Sequence, residues 1–586
     1  MPIPRRNFLY IATFCSVQLA LWGAVWAGRA YLAGQAHWPT AAVLSALGLI
    51  GFVLSWTPLR RGPWREFEER GGLRGALFLH ALLWAALLPG LQQGLALANR
   101  LALRGLGIDP AKGALGRGQS EVSLALGQGA ALLLAGYFFG LRRSDWPLGQ
   151  VSPEFVQVRR VSRYGLLGTA LVIAALGAQQ ALWFVLLLPF TPLGAPLPQL
   201  ANAAVLLAVG APLLWGLHTL IRRTLAEATE FRALTRLRAL LAILGAAWLG
   251  LTLALVVVLA TGLGWVFGAL TPRLAWELAA PGLAFGLVWA AVIAFYRGPA
   301  AQSLALNSEP LRRQAARRVL WYALALAGLL VGSAGVWLAA AAFTLWGGQR
   351  LALALGLAAA VSGGLLWYFP WQQGWQEAKA EPEVGAPPRL APVRRIYLFV
   401  VLYLALAALL GGAQVLLQDV SGRLFGVDVR GGIGGGLAWM IAALPALGFH
   451  LGVLAGDQRA VGVLQRRRYA QFPVLILLGA GPTGAAFGSA LSLAVQRLAP
   501  ELPVALHPVE LGVPDANLGA ARLVVLPADL LVNASEAVRL WLASFSGLHL
   551  VIPLPTPGWR WINIEETSLE ALAARTAAEI RQVADR

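Results

Sequence analysis

The sequence predicts an α-helical polytopic membrane protein of about twelve transmembrane helices, read as six tandem two-helix repeats, followed by a small C-terminal α/β doubly wound domain. Three observations carry this prediction. Of 586 residues, 58% are apolar and only 12% charged, with a mean hydropathy of +0.67, whereas a soluble domain carries about 25% charge. Apolar stretches long enough to cross a bilayer recur along most of the chain. After residue 470 the pattern changes to short apolar strands alternating with helices. The predicted division is a membrane bundle over 1–460 and a cytosolic α/β domain over 470–586.

A hydrocarbon core needs about 20 mostly apolar residues per helix. Such spans fall near 8–30, 40–58, 75–98, 121–141, 165–190, 199–221, 239–266, 274–296, 319–343, 349–370, 396–418 and 433–455. Their orientation follows from Lys and Arg in the connections. The loops on the N-terminal side hold 30 of these residues, among them Arg60, Arg159, Arg238, Arg312 and Arg394. The alternate loops hold 9, four of them between residues 99 and 120. The bias predicts both termini in the cytoplasm of a bacterial cell, with the chain in its inner membrane.

The opening "RRNFLYIATF" has the form of a twin-arginine export signal or of a first membrane helix with a basic flank. The same form recurs at "RRIYLF" (Arg394 to Phe399), deep in the chain, which favours the helix. The net charge of +19 raises the question of nucleic acid. Residues 471–586 carry 7 basic and 10 acidic side chains, leaving 39 and 17 before them. The charge therefore belongs to membrane loops, and nucleic acid is not a predicted partner. The single cysteine, Cys15, cannot form an intrachain disulfide and is expected to be buried. The six histidines show no metal-ligand spacing, so no metal is predicted.

Internal similarity supports the repeat. "SRYGLLGTALVIAALGAQQALW" (Ser162 to Trp183) and "RRIYLFVVLYLALAALLGGAQVLL" (Arg394 to Leu417) share a basic start, an aromatic, and Gly-Ala-Gln further on. "LRGALFLHALLWAALLPGLQQGL" fits too, and even-numbered helices end in aromatics followed by polar residues, as in "LLWYFPWQQGW". At these residues the chain resembles a domain-of-unknown-function family of bacterial integral-membrane helical-hairpin repeats, here carrying a C-terminal Rossmann-like α/β domain. The resemblance rests on basic-aromatic starts such as "RRIYLF" and on Trp-x-x-His near the end of alternate helices, as in "LLWGLHTLIRR". It covers most of residues 70–460; the helix ending at Arg297 has Phe295 and Tyr296 but no His. It implies the topology and no chemistry.

Within the spans the polar residues are chiefly Gln18, Gln92, Gln93, Gln128, Gln179, Gln180 and Gln414, with Glu121 and Glu277 near span ends. Glutamines at such sites commonly join helices, and mid-membrane acids of the kind transporters use are absent from the predicted spans. His80, His218 and His450 are the titratable candidates, each placed for interfacial packing. Trp367, Trp371 and Trp375 share one helix face and predict an interfacial aromatic anchor.

In the tail, "FPVLILLGAG" reads as a buried parallel strand, with further strands at 504–511, 521–527, 548–555 and 560–564, and helices capped at Ser535 and Ser568. "LILLGAGPTGAAFG" places Gly479, Gly481 and Gly484 in G-x-G-x-x-G spacing between a strand and a helix. In a dinucleotide site these glycines permit a tight turn and the helix N-terminus takes a pyrophosphate. The acid expected at the end of the second strand is missing, since Glu501 precedes that strand and Glu510 lies 26 residues after Gly484. Pro482 also removes one amide donor. The turn therefore reads first as a structural or partner-docking turn; the alternative is a dinucleotide, a signalling nucleotide or a smaller phosphate ligand held by Gly479, Gly481, Thr483, Gly484 and Asp529, with Glu510 at the same carboxyl edge.

No catalytic set converges, so the leading expectation is a non-enzymatic sensor or scaffold in the lipid bilayer, presenting a ligand- or protein-binding domain. The alternatives are a multi-pass transporter with a regulatory tail and a membrane-tethered nucleotide-handling enzyme. The sequence leaves the oligomeric state open.

Overall fold

The computed structural model describes residues 3–110, 115, 119–145, 152–191, 196–344, 349–379, 389, 391–426, 432–479, 481–515, 518, 520–554 and 568–585. The chain divides into two compact units, residues 1–447 and 448–586. Among the described residues, twelve helices are long and apolar enough to cross a membrane.

The first unit is built of antiparallel hairpins. Helix α1 (Ile3–Leu32) packs on α2 (Trp38–Arg61); a short α3 (Phe67–Arg70) then leads to α4 (Leu73–Gly105), which packs on α5 (Glu121–Asp145). Helices α6 (Pro153–Leu187) and α7 (Leu197–Thr224) form the third pair. After the short α8 (Ala228–Phe231) come α9 (Leu234–Val266) with α10 (Pro272–Leu304), and α11 (Pro310–Thr344) with α12 (Arg350–Lys379). Helix α13 (Pro392–Leu424) meets α14 (Gly432–Ala470) where Gly412 faces Trp439 and Gly436. Among the described residues the extensive helix contacts between hairpins join only successive ones: α1 with α4 and α5, α4 with α6 and α7, α6 with α9 and α10, α9 with α11 and α12, and α11 with α13.

The helices exceed the apolar stretches that predicted them. At 35 residues, α6 is about 50 Å long, while the hydrocarbon core is about 30 Å thick. Its polar first turns hold because Ser152 accepts a hydrogen bond from Phe155 N (3.2 Å) and Pro153 occupies the first helical position. Thr271 with Pro272 starts α10 in the same way. Close packing uses small residues. On α11, Gly328 and Gly335 lie against the α12 backbone at Trp367 and Ala360, where a Cβ would not fit. An alanine at either position would push the two helices apart.

Two expectations are corrected in this unit. Cys15 is exposed on the outer face of α1 rather than buried, because Thr13 and Val17 take the inward positions of that turn. The Trp367, Trp371 and Trp375 ladder turns inward against neighbouring helices rather than outward as an anchor would. The rings stack on one another with centroids 6.2 and 6.1 Å apart. They turn toward α13, where Trp367 Nε1 donates to Tyr397 OH (3.1 Å) and Arg394 lies over Trp371 and Trp375.

The second unit holds a four-stranded parallel sheet: β1 (Val474–Leu478), β2 (Val504–Pro508), β3 (Leu523–Pro527) and β4 (Leu548–Ile552), in spatial order β2-β1-β3-β4. Side chains alternate between two cores. Val474, Ile476, Leu523 and Val525 pack under α15 (Pro482–Leu498) and α18 (Leu569–Asp585). Leu475, Leu477, Val524 and Leu526 pack against α16 (Leu530–Asn533) and α17 (Glu536–Ser544) on the opposite face. Every position of β3 is buried, as a continuous apolar run requires. The end of α14 joins the first core through Tyr469, whose hydroxyl donates to Asp585 Oδ1 (2.8 Å). Ser535 caps α17 and Ser568 accepts from Ala571 N (3.3 Å). The anticipated strand at 560–564 and most of the loop at 553–559 lie outside the described residues.

Candidate functional site

The first candidate is the carboxyl edge of the sheet. Gly479 follows β1, and Gly481 precedes α15 with φ of 97°, a left-handed conformation that favours glycine. Gly484 is buried in the first turn of α15, and a Cβ there would collide with the carbonyl oxygen of Gly479. The third glycine of the spacing is therefore required by chain packing within the turn, whatever the turn binds. Thr483 is exposed beside it.

Asp529 stands two residues beyond β3. Its Oδ2 lies 3.7 Å from where a Cβ on Gly479 would be, and its Oδ1 is buried with no hydrogen-bond partner. The aspartate does not cap α16 with its side chain. Glu510 is exposed in the helical turn that follows β2. The edge thus brings Gly479, Gly481, Gly484 and Asp529 together, and the nearer acid comes from β3 rather than from β2. His507 and His549, in β2 and β4, bond to backbone carbonyls of Gly512 (3.0 Å) and Leu542 (3.1 Å) and serve packing. Among the described residues no three His, Cys, Asp or Glu side chains form a metal-holding group.

A second set of contacts joins residues that the sequence marks only as helix starts, among them Arg6 with Tyr10 and Arg318 with Tyr322. At the α1 N-terminus, Arg6 donates to Glu66 (3.0 Å) and Glu69 (3.2 Å), and Arg74 of α4 reaches the other oxygen of Glu69 (3.0 Å). Buried Tyr10 lies within the field of both arginines. Near the start of α6, Arg160 donates to Glu230 (2.9 Å), and Arg236 of α9 and Glu230 both act electrostatically on buried Tyr164. At α11, Arg318 donates twice to Glu377 (3.0 and 2.8 Å), while Arg394 of α13 donates to the hydroxyl of buried Tyr322 (3.1 Å). Each cluster consists of an arginine, a tyrosine four residues later, a glutamate at or beyond the end of the next long helix, and an arginine opening the following hairpin. The arginines counted as orientation signals are also the ties between helices.

Arg313 closes a further joint. It is 2% exposed and donates to the carbonyls of Ser303 (2.7 Å), Ser308 (2.6 Å) and Arg232, so one guanidinium ties α10, α11 and the turn after α8. At the other end of α1 from Arg6, Arg29 in the last turn bonds Gln93 (3.2 Å) and the Ser123 carbonyl (3.1 Å). Asn99 on α4 is fully buried with neither amide atom bonded, and Asn202 on α7 is 4% exposed with its Oδ1 unpartnered. Each lies one turn from a small apolar contact that includes Leu95 and Leu206.

These features define a multi-pass helical membrane protein with a small parallel-sheet unit at its C-terminal end. A family model described as "Domain of unknown function (DUF5671)" matches residues 318–445. That stretch runs from Arg318 through α11, α12 and α13 into α14. No curated protein and no solved structure matches the chain.

Proposed function

We propose that residues 1–470 hold three copies of one four-helix unit, each a pair of unlike hairpins, in place of six equivalent hairpins. Arg6, Tyr10, Gly23 and Pro58 recur as Arg160, Tyr164, Gly177 and Pro212, then as Arg318, Tyr322, Gly335 and Pro370, at constant intervals of 154 and 158 residues. Grooves recur in register as well. Tyr10, Ile11 and Phe14 face Leu73 and Leu77 in the first, and Tyr164, Gly165 and Gly168 face Thr235 and Ala239 in the second. The DUF5671 match begins at the arginine of the third copy and spans one such unit.

On this frame the protein is a non-enzymatic scaffold or sensor of a bacterial inner membrane. Both termini face the cytoplasm, where the α/β unit meets a small ligand or a protein partner. Sheet order β2-β1-β3-β4 with helices on both faces supports a doubly wound reading, whose ligands meet the strands' carboxyl ends between β1 and β3. The single observation carrying the site is Asp529 Oδ1, buried and unpartnered beside Gly479. An unsatisfied buried acceptor costs about 1–3 kcal/mol, and a hydroxyl or amide donor brought by a ligand would remove that cost. Two acids at the edge and Pro482 in the loop favour a nucleoside's hydroxyls over a bare phosphate.

The test is hydrogen exchange of the full chain in detergent against a panel of nucleosides and nucleotides. Binding at this edge protects peptides covering 475–490, and Asp529→Ala abolishes the protection. An unchanged exchange pattern with every compound would remove the ligand reading.

A further inference from the structure

We propose that α9 carries a binding site for one anionic phospholipid, its phosphate between Arg238 and Arg312 and its acyl chains in the two grooves flanking α9. One groove, of about 460 Å³, runs between α6 and α9, and Arg238, Ala242, Ala246 and Gly168 line it. The other, of about 520 Å³, runs between α9 and α11, with Arg238, Ala242, Arg312, Ala316, Val319 and Ala323 on its walls. Arg238 and Ala242 belong to both. The two grooves therefore meet at α9, where alanines at 242 and 246 leave the helix surface low between its neighbours.

Charge selects the occupant. Apart from the arginines, the groove between α9 and α11 is lined by Leu, Ala and Val alone, so its ligand must be an apolar chain. At its mouth stand two guanidiniums and no carboxylate among the lining residues. Arg238 is exposed and, unlike Arg236 two residues before it, has no hydrogen bond or ion pair among the described residues. Among the described residues Arg312 is held by Glu309 alone, at 3.2 Å on the exposed surface. An exposed pair of that kind contributes little, so Arg312 is available to a phosphate. Guanidinium matches phosphate oxygens in planar, paired geometry, and basic pockets between membrane helices suit anionic headgroups. A forked apolar trough with one basic head fits a lipid with two chains and one negative charge.

The experiment is native mass spectrometry of the full chain in detergent, titrated with phosphatidylglycerol, with phosphatidylcholine of the same chains, and with inorganic phosphate. Phosphatidylglycerol is expected to remain bound while the other two leave. Arg238→Gln with Arg312→Gln should weaken retention about thirtyfold, since each basic side chain near an anionic headgroup contributes roughly a fivefold factor. Arg222→Gln with Arg223→Gln, exposed arginines at the end of α7, should leave retention unchanged. Ala242→Trp fills the junction of the grooves and should displace the lipid with both arginines intact. Three results would each overturn the proposal: equal retention of phosphatidylcholine, equal loss on changing Arg222 and Arg223, or competition by inorganic phosphate at matched concentration. All substituted positions are on the surface of their helices, so loss of fold is not the expected effect, and a circular dichroism melt of each variant separates the two.

Discussion

Replacing Glu69, Glu230 and Glu377 one at a time with glutamine tests whether the three arginine–glutamate clusters are equivalent supports of the bundle. Glu69 accepts from Arg6 at 3.2 Å and from Arg74 at 3.0 Å, and its side chain is 9% exposed. Hydrogen bonds to a charged group contribute about 1.5–3 kcal/mol each when buried, and exposed pairs 0–1. The arginines are 22% and 32% exposed, so Glu69→Gln should cost about 2–3 kcal/mol, partly through two arginines left facing each other. Glu230 meets Arg160 alone at 2.9 Å and should cost about 1–2 kcal/mol. Glu377 offers one oxygen to Arg317 and Arg318 while its Oε2 is buried without a partner, so glutamine there costs about 1 kcal/mol. Glu277, paired with Arg273 at a surface where they are 34% and 66% exposed, is the control, at about 0.3 kcal/mol. Reversible unfolding of the full chain in mixed micelles with increasing dodecyl sulfate reads these differences. If Glu69→Gln shifted the midpoint no more than Glu277→Gln, the clusters would be surface charge and the argument from them would fail.

The other expectations are local. Gly484→Ala should destabilise the second unit by about 2 kcal/mol or more because its Cβ meets the Gly479 carbonyl, read as faster hydrogen exchange across β1 and β3. Gly481→Ala, strained by the φ of 97°, should cost about 1–2 kcal/mol in the same assay. Asn99→Leu should raise stability by about 1 kcal/mol, since its buried amide has no partner to lose, and a lowered dodecyl sulfate midpoint would contradict that. Ser535→Ala should cost about 1 kcal/mol by freeing the Val538 amide, visible as faster exchange at the start of α17.

The helices were legible because each is an apolar run of bilayer length, a signal that survives without knowledge of neighbours. β1 and β3 were legible as short continuous apolar runs, VLILL between Pro473 and Gly479 and LVVLP between Arg522 and Ala528. The clusters were not, because Glu69 lies 63 residues from Arg6 and Glu230 lies 70 from Arg160. Only the constant interval to Tyr10, Tyr164 and Tyr322, and to Pro58, Pro212 and Pro370, marks them, and a search at hairpin period passes over an interval twice as long. Cys15 and the Trp367 ladder were misplaced because a membrane helix is apolar all round, so composition alone does not say which face meets lipid. Asn99 and Asn202 were passed over for the more numerous glutamines, of which Gln93 is buried as they are.

Because each hairpin makes its extensive contacts with the ones before and after it, assembly can follow synthesis. A hairpin released into the bilayer finds its earlier neighbour already in place and waits for no distant segment to close a ring. The twelve helices can therefore be laid down in order, with Arg74 and Arg394 meeting Glu69 and Tyr322 already in place, while Arg160 and Arg318 wait for Glu230 and Glu377.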